Sequence, residues 1–158
     1  MRKVISNTTP LIGLADIGCL DVLQKLYEEI MIPDAVLEEV KSEPARTLVR
    51  NSEFIHVFSV ADSWSRKMFS SRLHAGEVEV MLLAEEKQAD LLIMDDNAAK
   101  KTAKFLGFKV TGTLGVLLKA KQEGHVKEVK QLVEKLQDNG FFVSPKVKQY
   151  VLEEANEF

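Results

Sequence analysis

Carboxylate side chains recur in this sequence where apolar segments end or turn inward. Asp95 and Asp96 directly follow the apolar run 91–94, which has the composition of a buried parallel strand. Open α/β sheets bind their ligands beyond the carboxyl ends of such strands. Acids in apolar surroundings need a cation, and Mg²⁺ and Mn²⁺ favour carboxylate oxygens. The residues therefore point first to a divalent-metal site.

Glu77 extends this candidate set. It shares a predicted helical face with Val80 and Met81, because residues three and four apart lie on the same side of a helix. Glu79 and Glu86 are predicted to lie well away from that apolar face. Of the acids in this helix, Glu77 is therefore the one expected to face the site.

Glu39 and Asn7 occupy comparable places. In the helix that begins near Pro33, Glu39 falls within roughly 60° of the core residue Val36, whereas Glu38 points away. Asn7 follows a short apolar strand at residues 4–5. Its side chain offers an amide oxygen as a metal ligand.

Each acid also has a purely structural interpretation. Asp95 or Asp96 could cap the helix that starts at Asn97, a role that aspartate fills well. Glu39 and Glu77 could be boundary residues whose heads reach solvent. Taken jointly, the four acids favour a site.

Basic residues near the acids could hold phosphates. Lys100 and Lys104 are one turn apart on the helix after Asp96, although a solvated helix face explains them equally well. His74, just before Glu77, is a minority candidate for the mouth of the site. A second basic patch comprises Arg66, Lys67 and Arg72.

Size and composition exclude several classes of protein. The 158 residues predict one domain, with a core over about 1–125 and C-terminal helices over 126–158. A net charge of -3 argues against nonspecific coating of nucleic acid. The single cysteine, Cys19, is predicted to be a small core or boundary residue, which fits a reducing compartment. The sequence has no signal-peptide pattern and no apolar run of membrane-spanning length, so a cytoplasmic protein without membrane contact is expected.

The order of the elements predicts an α/β fold. Apolar runs indicate strands near residues 4–5, 30–32, 54–58, 91–94 and 108–110. Helical periodicity indicates intervening helices, the first capped by Thr9 and the last three over 114–123, 126–137 and 145–155. The rest of residues 42–71 gives no clear pattern. This alternation is typical of a parallel sheet. The sequence contains no glycine-rich phosphate-binding loop, so an enzyme that acts on a small-molecule nucleotide has no support.

Five segments together resemble the PIN-domain family, and within it the small prokaryotic toxin-like (VapC-like) branch. They are residues 4–11 (VISNTTPL), 32–40 (IPDAVLEEV), 75–79 (AGEVE), 92–96 (LIMDD) and 112–116 (GTLGV). The resemblance covers most of the chain in the right order. It implies a three-layer α/β/α sandwich around a mostly parallel sheet, and a Mg²⁺- or Mn²⁺-dependent endoribonuclease. It also implies an antitoxin protein as partner and a homodimer.

Carried over by position, the family's first acid falls on Asn7, the second on Glu39, the third on Glu77, and the last on Asp95 or Asp96. Three hydroxyls are weaker expectations for contacts to water or phosphate: Ser6, Thr8 and Thr113. The family pattern has aspartate where this sequence has Asn7, which removes one negative charge. The alternative hypothesis is therefore a catalytically impaired PIN fold that binds RNA or a protein partner without cleaving.

Overall fold

The computed structural model describes residues 2–60 and 74–157, and its centre is a parallel β-sheet. Five strands lie in the order β3-β2-β1-β4-β5, and every neighbouring pair is parallel. The strands are β1 (Val4–Ser6), β2 (Ile30–Pro33), β3 (Ile55–Phe58), β4 (Leu91–Ile93) and β5 (Val110–Thr111). The predicted α/β class is confirmed.

Helices cover both faces of this sheet. Every residue of β1 and β4 is buried, and successive strand residues point to opposite faces. The described helices are α1 (Thr8–Asp16), α2 (Asp21–Tyr27), α3 (Asp34–Glu39), α4 (Ala45–Asn51), α5 (Ala75–Lys87), α6 (Asn97–Phe105), α7 (Thr113–Gln122), α8 (Val129–Asp138) and α9 (Pro145–Glu154). The arrangement is a three-layer α/β/α sandwich.

The strand order places a topological switch between β1 and β4. From β1 the chain adds β2 and β3 on one side, and then returns to add β4 and β5 on the other. Ser6 pairs with Ile93 in register, so Asn7 and Met94 follow at the same edge of the sheet. In open α/β sheets the crevice at such a switch is where ligands bind.

The ends of several helices differ from the sequence expectation. Helix α1 begins at Thr8, with Asn7 in the N-cap position and Pro10 as the third helical residue, not behind a Thr9 cap. Proline is tolerated there because the first N–H groups of a helix have no intrahelical partner. Helix α8 starts at Val129, three residues later than predicted, and α4 lies in the segment that showed no clear pattern.

Glu79 corrects a prediction. It does not lie on a solvent face: it is buried, and its Oε1 accepts a 3.0 Å hydrogen bond from the backbone N–H of Ala35 in α3. Residues 76–84 of α5 are all buried because the helix packs on β1, β2 and α3 together. The prediction assumed that only one face of the helix is buried, and this assumption fails for a helix that is covered on nearly all sides.

The C-terminal helices complete the core. Val129, Val133 and Leu136 of α8 are fully buried, so this apolar face of the helix packs within the chain. Cys19 is also buried, and it is a free thiol as expected. Within the described residues, no helix has the length and apolarity needed to cross a membrane.

Candidate active site

Glu39 is held where three helices meet. Its Oε1 accepts a 2.7 Å hydrogen bond from Thr8 Oγ1, and its Oε2 accepts a 3.3 Å hydrogen bond from the backbone N–H of Gly76. Thr8 begins α1, Glu39 ends α3 and Gly76 lies in the first turn of α5. A Cβ on residue 76 would overlap the Glu39 carboxylate. Glycine at this position therefore allows the carboxylate to approach.

Glu77 is a buried acid beside other acids. Its side chain is 6% exposed, and its Oε1 accepts a 3.0 Å hydrogen bond from the backbone N–H of His74. Burial raises the pKa of Glu77, and the charges of Asp96 and Glu39 act in the same direction. The His74 N–H and imidazole oppose this rise. We call Glu39, Glu77 and Asp96 the acidic cluster.

The two neighbouring aspartates have different contacts. Asp96 is the N-cap of α6, and its Oδ2 accepts a 2.9 Å hydrogen bond from the backbone N–H of Ala99. Asp95 binds Thr113 at the start of α7: Oδ1 accepts from the backbone N–H at 2.8 Å and Oδ2 from the hydroxyl at 2.7 Å. The capping role expected for one of the pair thus belongs to Asp96.

Asn7 lies at the switch between β1 and β4. It is 6% exposed, and its backbone N–H donates a 2.8 Å hydrogen bond to the Ile93 carbonyl, which extends the strand pairing. The Ser6 hydroxyl donates to the Asn7 carbonyl at 2.9 Å. Although Asn7 is the N-cap residue of α1, its side chain makes no capping hydrogen bond within the described part of the chain.

The three hydroxyls expected near the substrate already have acceptors. Ser6 donates to a backbone carbonyl, Thr8 to Glu39 and Thr113 to Asp95. In this structure the threonines hold carboxylates in place. A direct contact of any of the three with a substrate stays a prediction.

The basic candidates are not equally placed. A Cβ built on Gly112 would lie 2.8 Å from Asp95 Oδ1 and 3.1 Å from Lys100 Nζ, so both groups border this glycine. Lys104 lies one turn further along, exposed, in the last turn of α6. The patch of Arg66, Lys67 and Arg72 lies outside the described residues.

The chemistry of the donor set fits a hard divalent cation. Carboxylate and amide oxygens are the ligands that Mg²⁺ and Mn²⁺ prefer, and a cation would offset the burial and mutual repulsion of the acidic cluster. As the side chains are placed in residues 2–60 and 74–157, no three Asp, Glu, His or Cys side chains form a group ready to hold a metal ion.

A comparison with family models agrees with this fold. The model described as PIN domain matches residues 3–157, nearly the whole chain. The chain belongs to the PIN-domain family. A comparison with curated proteins found no significant match. PIN domains have a nuclease-type fold and generally depend on a divalent metal.

The role of two glycines of the PIN domain was not predicted from the sequence. Gly76 admits the Glu39 carboxylate, and Gly112 admits Asp95 and Lys100. Both lie in segments that carry the family resemblance, next to Glu77 and Thr113 respectively. Their position beside candidate site residues was the signal that the sequence offered. The side chains that a Cβ would meet there come from distant parts of the chain.

Proposed function

We propose that this PIN domain is a divalent-metal-dependent endoribonuclease. The observation that carries the proposal is the burial of Glu77 beside the charges of Asp96 and Glu39, at the β1–β4 switch of a PIN fold. A buried carboxylate with two acidic neighbours is costly unless it is neutralised. Buried acids whose pKa is shifted in this way are typical of functional sites.

Glu39, Glu77 and Asp96 would hold the ion, with Asp95 as a fourth carboxylate and Asn7 as a neutral oxygen donor at the same edge of the sheet. A bound Mg²⁺ or Mn²⁺ supplies a water of lowered pKa and stabilises charge on the phosphate during in-line attack. The chain itself fixes the acids: Thr8 and Gly76 orient Glu39, and the His74 N–H orients Glu77.

Lys100 is the residue proposed to bind a phosphate of the substrate. Its ammonium group borders Gly112 next to Asp95, so a cation stands at the rim of an otherwise acidic site. A polyanionic substrate needs such a group to approach carboxylates, because repulsion would otherwise oppose binding. Lys104, one turn further, extends the positive charge along α6.

The test is cleavage of labelled single-stranded RNA by the purified protein with Mg²⁺, with Mn²⁺ and with EDTA. The proposal predicts internal cleavage that either ion supports and EDTA stops. Absence of cleavage with both ions, in protein shown to be folded by circular dichroism, would contradict it.

One observation favours a second function. Asn7 is neutral where the family pattern has aspartate, which lowers the charge available to bind a cation. A PIN fold without productive metal binding would act by holding RNA or a protein. It would then bind RNA equally well with and without EDTA and would cleave none, whereas Asn7→Asp would gain metal-dependent cleavage.

The finer predictions from the toxin-like resemblance concern cellular context. A toxin role predicts growth arrest on expression, relieved by a co-expressed antitoxin protein. The predicted homodimer is checked by sedimentation of the purified chain, and the cytoplasmic location by fractionation. RNA as the substrate is checked by the cleavage assay above.

A further inference from the structure

A cleft of about 350 Å³ opens beside Asp95. The first turn of α6, the start of α7 and the segment that joins α8 to α9 form its walls. Its lining includes Asp95, Asn97, Lys100 and Gly112, and also residues 141–144 with Val147. Its volume lies within the range of small-ligand sites.

Phe142 is the unusual residue of this cleft. Its side chain is 86% exposed, whereas the adjacent Val143 is 8% exposed and packs in the core. An aromatic ring that lines a cleft and remains in solvent makes little contribution to folding. Such rings are the stacking platforms on which proteins bind unpaired nucleobases.

The cleft shares Asp95 with the proposed catalytic site. Asp95 lines it, and the Lys100 ammonium group borders the same glycine as the Asp95 carboxylate. A polynucleotide that presents a phosphate to the acids and Lys100 would therefore carry a neighbouring base to the cleft. The combination of cation, polar wall and exposed ring suits a nucleotide better than a purely apolar partner.

We propose that this cleft binds one unpaired base of single-stranded RNA next to the scissile phosphate, with Phe142 stacking on the base and Lys100 contacting the backbone. The proposal rests on the ribonuclease function of the same site and adds a base-binding subsite formed by this chain's own Phe142 and Lys100. A base in a duplex cannot enter, because its faces are already stacked.

Phe105 provides a matched control. It is 89% exposed, nearly the same as Phe142. It lies at the other end of α6 from Asn97, about 12 Å away along the helix axis. Phe105→Ala therefore removes an equally exposed ring without touching the cleft. Phe142→Trp restores a stacking surface and tests rescue.

The experiment measures binding by fluorescence anisotropy in the Glu77→Gln background with Mg²⁺, so that cleavage does not interfere. The probes are a labelled single-stranded RNA and an abasic strand of equal length and charge. We expect Phe142→Ala to weaken RNA binding by about 5- to 150-fold. Phe105→Ala should have no effect, and Phe142→Trp should restore binding. The abasic strand should bind all variants equally.

Two results would overturn the inference. One is equal RNA affinity of Phe142→Ala and Phe105→Ala. The other is a change in sedimentation with Phe142→Ala at unchanged RNA affinity, which would assign the ring to an interface with a second copy of the chain. Failure of the ribonuclease function would appear separately, as absence of cleavage by the unmodified protein.

Discussion

Gly76 and Glu39 are in direct contact although 37 residues separate them in the chain. The Gly76 N–H donates to Glu39 Oε2, and a Cβ on residue 76 would occupy the space of the carboxylate. The same two helices are tied a second time, since Glu79 of α5 accepts from the Ala35 N–H of α3. The α3–α5 pair thus fixes Glu39 beside Glu77.

Gly76→Ala tests this contact. The added methyl group should displace the Glu39 carboxylate and lower RNA cleavage by about 100-fold, the cost typical of a misplaced catalytic group. Alanine favours a helix over glycine by about 1 kcal/mol, so the fold should persist. Cleavage at the unmodified rate, with the fold checked by circular dichroism, would contradict this role of the glycine.

Asn7→Asp tests the departure from the family pattern. A carboxylate at the switch point adds one negative charge toward a cation, so the Mg²⁺ concentration for half-maximal cleavage should fall by on the order of tenfold. Aspartate and asparagine suit a helix N-cap about equally. Without metal the melting temperature should nevertheless fall, because the added carboxylate would be buried near the acidic cluster, and Mg²⁺ should restore it. An unchanged metal requirement would remove Asn7 from the site.

Asp96→Asn separates charge from helix capping. Asparagine still caps α6, so the melting temperature should stay within a few degrees. Cleavage should fall about 100-fold, because one of the carboxylates proposed to hold the cation is lost. Asp95→Asn is the matched comparison at the other aspartate. If Asp96→Asn retains full activity while Asp95→Asn is inactive, Asp95 is the ligand and Asp96 only a cap.

Glu157 connects the C-terminus to α7 and α8, away from the site. Its carboxylate accepts from Lys121 Nζ at 2.7 Å and from the backbone N–H groups of Val129 and Lys130 at 2.7 and 2.8 Å. Burial opposes ionisation, but these hydrogen bonds outweigh it and lower the pKa of Glu157 below its ordinary value of 4.5.

A group whose pKa is lowered by folding stabilises the fold above its unfolded pKa, and this contribution is lost as the pH falls through the folded pKa. Glu157→Gln should therefore lower the free energy of unfolding by about 1–2 kcal/mol at pH 7. The difference should shrink as the pH drops below 4.5. Urea unfolding at both pH values measures it, and a deficit independent of pH would contradict the assignment.

The sheet could be predicted from sequence because apolar runs reveal strands directly. The run at 91–94 gave β4, and the acids after it lie at the sheet edge as expected. Helix α4 could not be predicted, since its seven residues carry only two buried side chains, Ala45 and Val49. So short a helix depends on tertiary packing more than on its own pattern.

The contacts within the site were harder to predict from the sequence. Periodicity placed Glu77 inward but put Glu79 outward, because it assumes one buried face. The Gly76–Glu39 and Thr113–Asp95 contacts join residues 37 and 18 positions apart. Such contacts arise only when the elements are packed, so residue types alone indicate the acids and not their partners.

The most direct test of the account compares Glu77→Gln with Glu79→Gln in metal-dependent RNA cleavage. Both glutamates are buried in α5, and both changes remove one charge with almost no change of shape. We expect Glu77→Gln to abolish cleavage with Mg²⁺ or Mn²⁺, and Glu79→Gln to retain it per folded molecule. Cleavage by Glu77→Gln at the unmodified rate would contradict the proposed active site.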